Sequence, residues 1–409
     1  MRLVVITPHF APDTAPTGSV MTRVVQELAE RGHEIEVLTS LPWYRDHAVE
    51  AGYEGRLVRR EDVRWGQIVR MHPFPAPDKK ALVRRALAFA GFSILGAVVG
   101  VRGPKVDGVL AVSPPLTLGL TGWAVARARR GSLVFNVQDV YPDVAVELGI
   151  LKDGPVLSAS RRLERLCYSS ADAVTVLSED LQRNVQAKTD DPGKVRVIPN
   201  FVDVNAIAPA PRHNDYRREF GLGDKTVVMY AGNVGLSQSL ETVLDAAGAL
   251  SHDDQILFVI NGQGAERERL EHEARGLSNV RFVDMQPAER LPEVLAAADI
   301  HLVPLKKGLA SSSVPSKTYS ILAAGRPLIA GVDAGSEIAN LLARSGGGIP
   351  VPPEDAEMLT KAIRQLVDAP AERERMGADA RSFVESWASP AAVALAYEEL
   401  FEELDSRAP

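Results

Sequence analysis

The chain begins the same kind of unit twice. Near Met1 it reads RLVVITPHFAPDTAPTGSVMTRVVQELAERGH, and from Thr226 it reads TVVMYAGNVGLSQSLETVLDAAGAL. Each is a short apolar strand, a turn rich in small residues, and a helix with apolar residues at three- and four-residue spacing. Such a turn presents unpaired backbone N–H groups and the positive end of a helix dipole, a setting suited to phosphate. Two of them half a chain apart predict two nucleotide-fold halves with a cleft between them.

Length supports the doubling, because 409 residues exceed one ordinary core. Between the two starts the chain alternates strand and helix. RLVVIT, EIEVLTS, QIVRMHPF, GVLAVS, LVFNVQD, AVTVLS and VRVIPN read as strands, several of them continuous apolar runs suited to a parallel sheet covered on both faces. IAPAPRHNDYRREFGLGDK reads as a linker, rich in proline and polar residues. After it come the strands VVMYAG, ILFVING, VRFVDM, IHLVPL and PLIAG, and the chain closes on the amphipathic helix ASPAAVALAYEELFEELDS. The fold class is α/β, with ligands expected at the carboxyl ends of the strands.

A net charge of −7 argues against a protein that coats nucleic acid. Cys167 is the only cysteine and no cleavable apolar leader is visible, so the expected compartment is the cytoplasm. KKALVRRALAFAGFSILGAVVGVRG places Lys79, Lys80, Arg84 and Arg85 before an uncharged run from Ala86 to Val101. That run is shorter than the roughly 20 residues that span a bilayer. It reads either as a buried helix or as a basic-apolar helix lying in a membrane interface, and one helix can do both.

The most specific local pattern is SSSVPSKTYSILAAGRPLIAG, from Ser311 to Gly331. Pro315 suits a helix opening, Ser316 offers a hydroxyl donor, and Lys317 falls in the first turn. A lysine beside a helix N-terminus sets two positive groups together, and an anion between them removes the conflict. The alternative is a solvated lysine on an exposed turn.

Here the chain resembles the family-4 retaining glycosyltransferases of GT-B architecture. The resemblance is carried in order by TGSVMTRVVQELAERGHEIEVLTS, TVLSEDLQRNV, VIPNFVD, YAGNVG, INGQGAERERLE, FVDMQPAERLPEVLAAADIHLVPL and GSEIANLLARSGGGIPV. It is greatest to bacterial transferases that build surface polysaccharides on a lipid carrier with N-acetylhexosamine-type sugars. It implies two Rossmann-like domains whose parallel sheets face across a cleft: residues 1–206 on the acceptor side, residues 207–390 binding the nucleotide sugar, and helix 391–409 packing back on the first domain. The donor-binding residues it implies are Gly18, Ser19, Asn233, Gln238, Gly262, Met285, Ser316, Lys317 and Ser320. Gly18 would approach the diphosphate where only a residue without a side chain leaves room. Asp284, Met285 and Gln286 would cover the base.

The chain also departs from its family. An arginine and a lysine common in the second domain's first turn fall at Asn233 and Gln238, and two common glutamates fall at Ser312 and Ser320. Burying a diphosphate unpaired would be prohibitive, so Lys317 is the expected catalytic cation, with Lys306 and Lys307 nearby. In FNVQDVYPDVAVELG, Asn136 and Gln138 alternate with Val137 and Asp139 ends the strand, so these polar residues should emerge at the cleft, with Gln138 and Asp139 on the acceptor side. Gln138 and Asp139 stand where many relatives carry a His-Asp pair. Asp139 either orients the acceptor hydroxyl or stabilises positive charge on the sugar, or else it caps the next turn. Asp143 and Glu147 follow on the same segment. His9 either lines the acceptor side or packs within its loop. No Asp-x-Asp pair or ligand-spaced histidine occurs, so no metal and no cofactor is expected.

The expected function is therefore metal-independent, retaining transfer of a sugar from a UDP-sugar to an acceptor hydroxyl, on a lipid-linked glycan for surface polysaccharide. The protein would be cytoplasmic or peripheral on the inner face of the membrane. Two alternatives stay open: a UDP-N-acetylhexosamine 2-epimerase on the same fold, and a catalytically silent partner in a polysaccharide assembly complex.

Overall fold

A computed structural model describes residues 1–44, 48–74, 82–147, 151–308 and 317–406, with side chains at 82–86 and 147 left aside. The chain forms two compact units, Met1–Asn200 with Pro390–Pro409, and Phe201–Ser389.

Unit 1 is built on an eight-stranded sheet in the order β3-β4-β2-β1-β5-β6-β7-β8. The strands are β1 (Arg2–Ile6), β2 (Glu34–Ser40), β3 (Val58–Val63), β4 (Gly66–Met71), β5 (Gly108–Ser113), β6 (Ser132–Val137), β7 (Ala173–Val176) and β8 (Val195–Val197). All pairings are parallel except the β3–β4 hairpin. The apolar runs occupy the centre, and β5 (GVLAVS) is buried along its whole length. Strand β3 (VRREDV) has no apolar run to announce it. It is a charged edge, which blunts pairing with another chain. The order reverses where β1 lies between β2 and β5, so loops at the carboxyl ends of β1 and β5 flank a crevice suited to ligands.

The C-terminal helix, Pro390–Ser406, belongs to this unit. Phe401 is buried against Gly108, whose absent Cβ would lie 2.3 Å from the Phe401 ring. Burial of such a ring contributes roughly 1.5–3 kcal/mol. Tyr397 is also buried, and its hydroxyl accepts a hydrogen bond from Asn136 Nδ2 at 3.0 Å.

The apolar segment after Lys79 and Lys80 forms the helix Leu82–Gly100; Lys79 and Lys80 lie outside the described residues. Phe92 and Val99 are buried, whereas Leu87, Ile94, Val98 and Val101 are exposed. The exposed four are spaced by seven, four and three residues, which aligns them as one stripe. Among the described residues no helix is long and apolar enough to cross a membrane.

Unit 2 has a six-stranded, wholly parallel sheet in the order β11-β10-β9-β12-β13-β14. The strands are β9 (Thr226–Ala231), β10 (Ile256–Asn261), β11 (Val280–Val283), β12 (Ile300–Pro304), β13 (Leu328–Gly331) and β14 (Gly348–Val351). Its switch point lies between β9 and β12. The segment read as a linker is in large part a piece of this unit. It contains the helix Asp215–Glu219, capped by the Asn214 side chain accepting from Arg217 N–H. Tyr216 is fully buried with its hydroxyl on Asn261 Oδ1 at 2.8 Å, and buried Arg217 pairs with Asp299 at 2.6 Å. Prolines and charges suggested solvent, but a tyrosine and an arginine with buried partners bring the segment inside.

Candidate functional site

In unit 2 the candidate residues gather at the carboxyl ends of β9, β10 and β11. Strand β9 runs into Gly232 at φ +143°, and β10 runs into Gly262. The two loops nest so closely that a Cβ on Gly262 would stand 1.8 Å from the Gly232 carbonyl oxygen. A Cβ on Gly264 would stand 2.2 Å from the Val234 oxygen. Backbone hydrogen bonds from Gly232 to Asn261, from Val234 to Gln263 and from Gly262 to Val283 lock the nest. Gly262 thus makes room for the chain itself.

Lys317 is the first described residue of the helix Lys317–Ala323 and reaches back over this nest. Its Nζ lies 4.2 Å from the centre of the Tyr230 ring and donates to the Tyr230 hydroxyl at 2.9 Å. That hydroxyl in turn donates to the Asn233 carbonyl at 2.5 Å. Gly232 is bare where Nζ passes, since a Cβ there would be 3.0 Å away. Burial lowers the Lys317 pKa to about 8, because desolvation penalises the charged form. Burial pushes the Tyr230 phenol up, so it stays protonated and keeps its donor. No carboxylate of the described residues lies within 4.0 Å of Nζ. The ammonium is held by a phenol oxygen and a π face, which orient it without neutralising it.

Around this centre, Asn233 is exposed, with its side-chain amide folded over Gly235 and Gly264. Gln238 donates to Ser237 Oγ at 3.2 Å, while its own Oε1 is buried without a partner. A bridge from Gln238 to Leu305 and a bond from Lys306 N–H to the Ser237 oxygen join the loops after β9 and β12. Lys306 is half-buried, and Lys307 is exposed with its N–H on Glu354. Ser320 lies one turn after Lys317 and is half-buried. Ser316, Pro315 and Ser312 lie outside the described residues. Met285 is exposed at the end of β11; Asp284 faces Arg267 at 3.4 Å and Gln286 accepts from Arg290 at 2.7 Å.

Two residues here escaped the sequence reading. Tyr230 read as one more apolar strand position. Arg267 lies in the charged run ERERLE with nothing in the sequence to set it apart, yet its guanidinium donates to the carbonyls of Gly262 and Val283 and stacks on Phe282, tying the ends of β10 and β11.

Unit 1 sets a second group at the end of β1. Gly18 is in the first turn of the helix Pro16–Glu30, not in the turn before it. A Cβ on Gly18 would lie 2.9 Å from His9 Cβ, so its smallness admits the His9 loop. Ser19 is exposed. His9 Nδ1 is 2.7 Å from Asp13 Oδ2, and the ring stacks on Trp43 at 5.6 Å with Tyr44 edge-on at 5.4 Å. Asp13 was not singled out, although PHFAPD places it four residues after His9.

At the end of β6, Gln138 is drawn into a buried chain. It donates to Asn136 Oδ1 at 2.6 Å and accepts from Asn200 at 3.0 Å, while Asn136 donates to Thr175 and Tyr397. Asp139 is open to solvent on one side, and the protein packed behind it raises its pKa by desolvation. Burial alone would raise Asp143 too, but hydrogen bonds from Lys188 and Asn184 hold its pKa below the ordinary range. Asp143 therefore serves the Lys188–Glu164 ion-pair network rather than an open site. The Glu147 side chain lies outside those described. Among the described residues, no group of three histidine, cysteine or acidic side chains is placed to hold a metal ion.

Comparison with known proteins adds a family context. Residues 17–200 match the glycosyl transferase 4-like domain, and residues 225–369 match glycosyl transferases group 1. WcaI of Escherichia coli strain K12, named as a colanic acid biosynthesis glycosyl transferase, is 29% identical over 382 residues, or 90% of this chain and 93% of WcaI. WbjE of Pseudomonas aeruginosa, named as a glycosyltransferase, is 30% identical over 304 residues, or 72% of this chain and 75% of WbjE. Among solved structures, sucrose-phosphate synthase from Thermosynechococcus elongatus has a TM-score of 0.68 at 19% identity, covering 100% of both chains. Anabaena HepE in complex with UDP has a TM-score of 0.64 at 14% identity, covering 98% of this chain and 100% of HepE.

Proposed function

The chain belongs to the glycosyltransferases that join a glycosyl transferase 4-like domain to a group 1 domain, with the GT-B fold, and we propose that it moves a sugar from a UDP-sugar to an acceptor hydroxyl with retention of configuration. The observation that carries this reading is Lys317, an oriented ammonium with no carboxylate beside it at the carboxyl ends of a parallel sheet. A diphosphate there supplies the missing anion. Uridine as the base is supported by HepE, which was solved with UDP. Colanic acid in the name of WcaI supports a surface-polysaccharide acceptor, and the sequence resemblance supports an N-acetylhexosamine-type sugar on a lipid-linked glycan.

In the proposed reaction the bond from the anomeric carbon to the β-phosphate oxygen breaks while a bond to the acceptor oxygen forms on the same face. The acceptor proton passes to the departing phosphate oxygen, so no protein base is required. Lys317 interacts more strongly as negative charge grows on that oxygen, which is the condition for lowering a barrier. No metal takes part in this scheme. Asp139, open to solvent on the other unit, is proposed to stabilise positive charge on the sugar or to orient the acceptor.

UDP binding tests the reading through its pH dependence. A phosphate beside Lys317 raises that lysine's pKa, so binding takes up a proton wherever the free protein has lost one. Affinity should be flat below pH 8 and weaken above it, approaching roughly tenfold per pH unit. Calorimetry from pH 6.5 to 9.5 decides this, and a Kd constant across that range removes Lys317 from the phosphate. Incubation with UDP-N-acetylhexosamine alone separates transfer from 2-epimerisation, which consumes donor without any acceptor. Failure to bind UDP would favour a silent assembly partner instead.

Peripheral attachment to the cytoplasmic face of a membrane is part of the proposal. The exposed stripe Leu87, Ile94, Val98 and Val101 follows the basic residues Lys79, Lys80, Arg84 and Arg85 in sequence. Such a helix inserts its apolar stripe while its basic end meets anionic lipid. Ile94→Glu should weaken binding to anionic vesicles in co-sedimentation by at least about tenfold, since burying one such side chain is worth roughly 1.5–3 kcal/mol. Wild-type protein that stays in the supernatant with these vesicles would exclude the attachment.

A further inference from the structure

We propose that Asp13 is a positioning residue that fixes His9 so that its Nε2 accepts a hydrogen bond from a hydroxyl of the acceptor sugar, with the exposed Tyr44 ring as the apolar wall of that subsite. This rests on the glycosyltransferase reading and adds to it the chemistry of an acceptor subsite.

The geometry leaves His9 little choice. The Asp13 side chain is fully buried and its Oδ2 is 2.7 Å from His9 Nδ1. An ionised carboxylate only accepts, so Nδ1 carries the hydrogen, and in the neutral ring Nε2 is then the lone-pair site. The second carboxylate oxygen, Oδ1, accepts from the Tyr44 N–H at 3.3 Å. One buried acid thus sets both the tautomer of His9 and the place of Tyr44. Trp43 stacks on the imidazole face, Tyr44 meets its edge, and Gly18 leaves room behind it.

The loop that bears the pair is itself tied down. Ala11 N–H donates to Thr22 Oγ1 at 2.9 Å, and the Ala11 carbonyl accepts from Arg70 at 2.6 Å. His9 is 14% exposed at its side chain, and Nε2 has no hydrogen-bond partner among the described residues. It stands at the carboxyl end of β1, beside the switch point of unit 1. Tyr44 is 41% exposed and nearly perpendicular to the imidazole, at 78°. An aromatic wall with one fixed polar group beside it suits a pyranose, which has an apolar ring face and hydroxyls at its rim. The attacking hydroxyl gives its proton to the departing phosphate, so the hydroxyl on Nε2 is a neighbouring one that sets the ring's orientation.

The test uses the full chain with saturating UDP and octyl N-acetylglucosaminide as the acceptor probe. Asp13→Asn and His9→Phe should each weaken glycoside binding at least about tenfold while the UDP Kd stays within about twofold, which also shows that the variants are folded. Nitrogen-15 spectra of the imidazoles, recorded where the ring is neutral, should show His9 as the Nδ1–H tautomer in the wild type. Asp13→Ala should lose that signature. A packing role alone would leave the glycoside affinity of His9→Phe, which keeps a ring but no acceptor, unchanged, and that result overturns the subsite. So does a His9 tautomer indifferent to Asp13, or a wild type that binds no glycoside. A wild type that fails to bind UDP defeats the glycosyltransferase reading instead, and the tautomer and glycoside measurements still decide the subsite.

Discussion

Lys317→Met is expected to lower turnover by roughly 100- to 1000-fold, the range found when one preorganised group facing a developing oxyanion is removed. The same variant should be more stable than the wild type at neutral pH. Both outcomes follow from one feature: burial drops the Lys317 pKa to about 8, from 10.5 in solvent. Between those values the unfolded chain binds more protons than the folded one, so wild-type stability rises with pH across that window. Below pH 8 the full cost of the desolvated ammonium is present, on the order of 3 kcal/mol at about 1.36 kcal/mol per pH unit. Methionine fills the space over Tyr230 without that charge. Its melting temperature should therefore exceed the wild-type value at pH 7, and the difference should close toward pH 10. Near-normal turnover would remove Lys317 from the chemistry. A melting difference that ignores pH would show that the lysine is not desolvated. The trade of stability for an oriented charge is what a binding site for an anion requires.

How far the sequence disclosed this arrangement depends on how local each determinant is. Valine- and isoleucine-rich runs such as GVLAVS and ILFVIN mark strands covered on both faces, and both are buried along their whole length. The edge strand VRREDV has no such run, because an edge is kept soluble by charge rather than buried. Lys317 stood out because a cation at a helix start is electrostatically awkward. Its orientation, however, depends on Tyr230, which lies 87 residues away in sequence and read as a plain core position. Gln138 reads as a polar residue aimed at a ligand, since it alternates with buried valines. In the fold its neighbour Asn136 finds Tyr397, 261 residues on, and Gln138 joins that buried chain. Asp13 was within reach of a local reading, because His9 and Asp13 are four residues apart, but the loop geometry that joins them is not periodic. Patterns of period two or near four are legible; pairings made by two folded loops are not.

Gly262→Ala should destabilise unit 2 by roughly 3 kcal/mol and abolish UDP binding, although Gly262 need touch no ligand. The added Cβ would stand 1.8 Å from the Gly232 carbonyl oxygen, far inside contact distance, and the atom it meets is backbone rather than a yielding side chain. Overpacking of this kind typically costs about 1–3 kcal/mol, and more where backbone must move. Relief requires the loop after β9 to lift from the loop after β10, which breaks the bonds from Gly232 to Asn261 and from Val234 to Gln263. Lifting that loop displaces Asn233, whose carbonyl holds the Tyr230 hydroxyl that orients Lys317. One methyl group therefore acts on the oriented Lys317 ammonium through three intermediate contacts. The contrast with Lys317→Met is diagnostic: that variant loses function and gains stability at neutral pH, whereas Gly262→Ala loses both. Denaturant titration and UDP calorimetry on the two variants measure this. A Gly262→Ala protein with wild-type stability would mean that the nest of the β9 and β10 loops is looser than 1.8 Å implies.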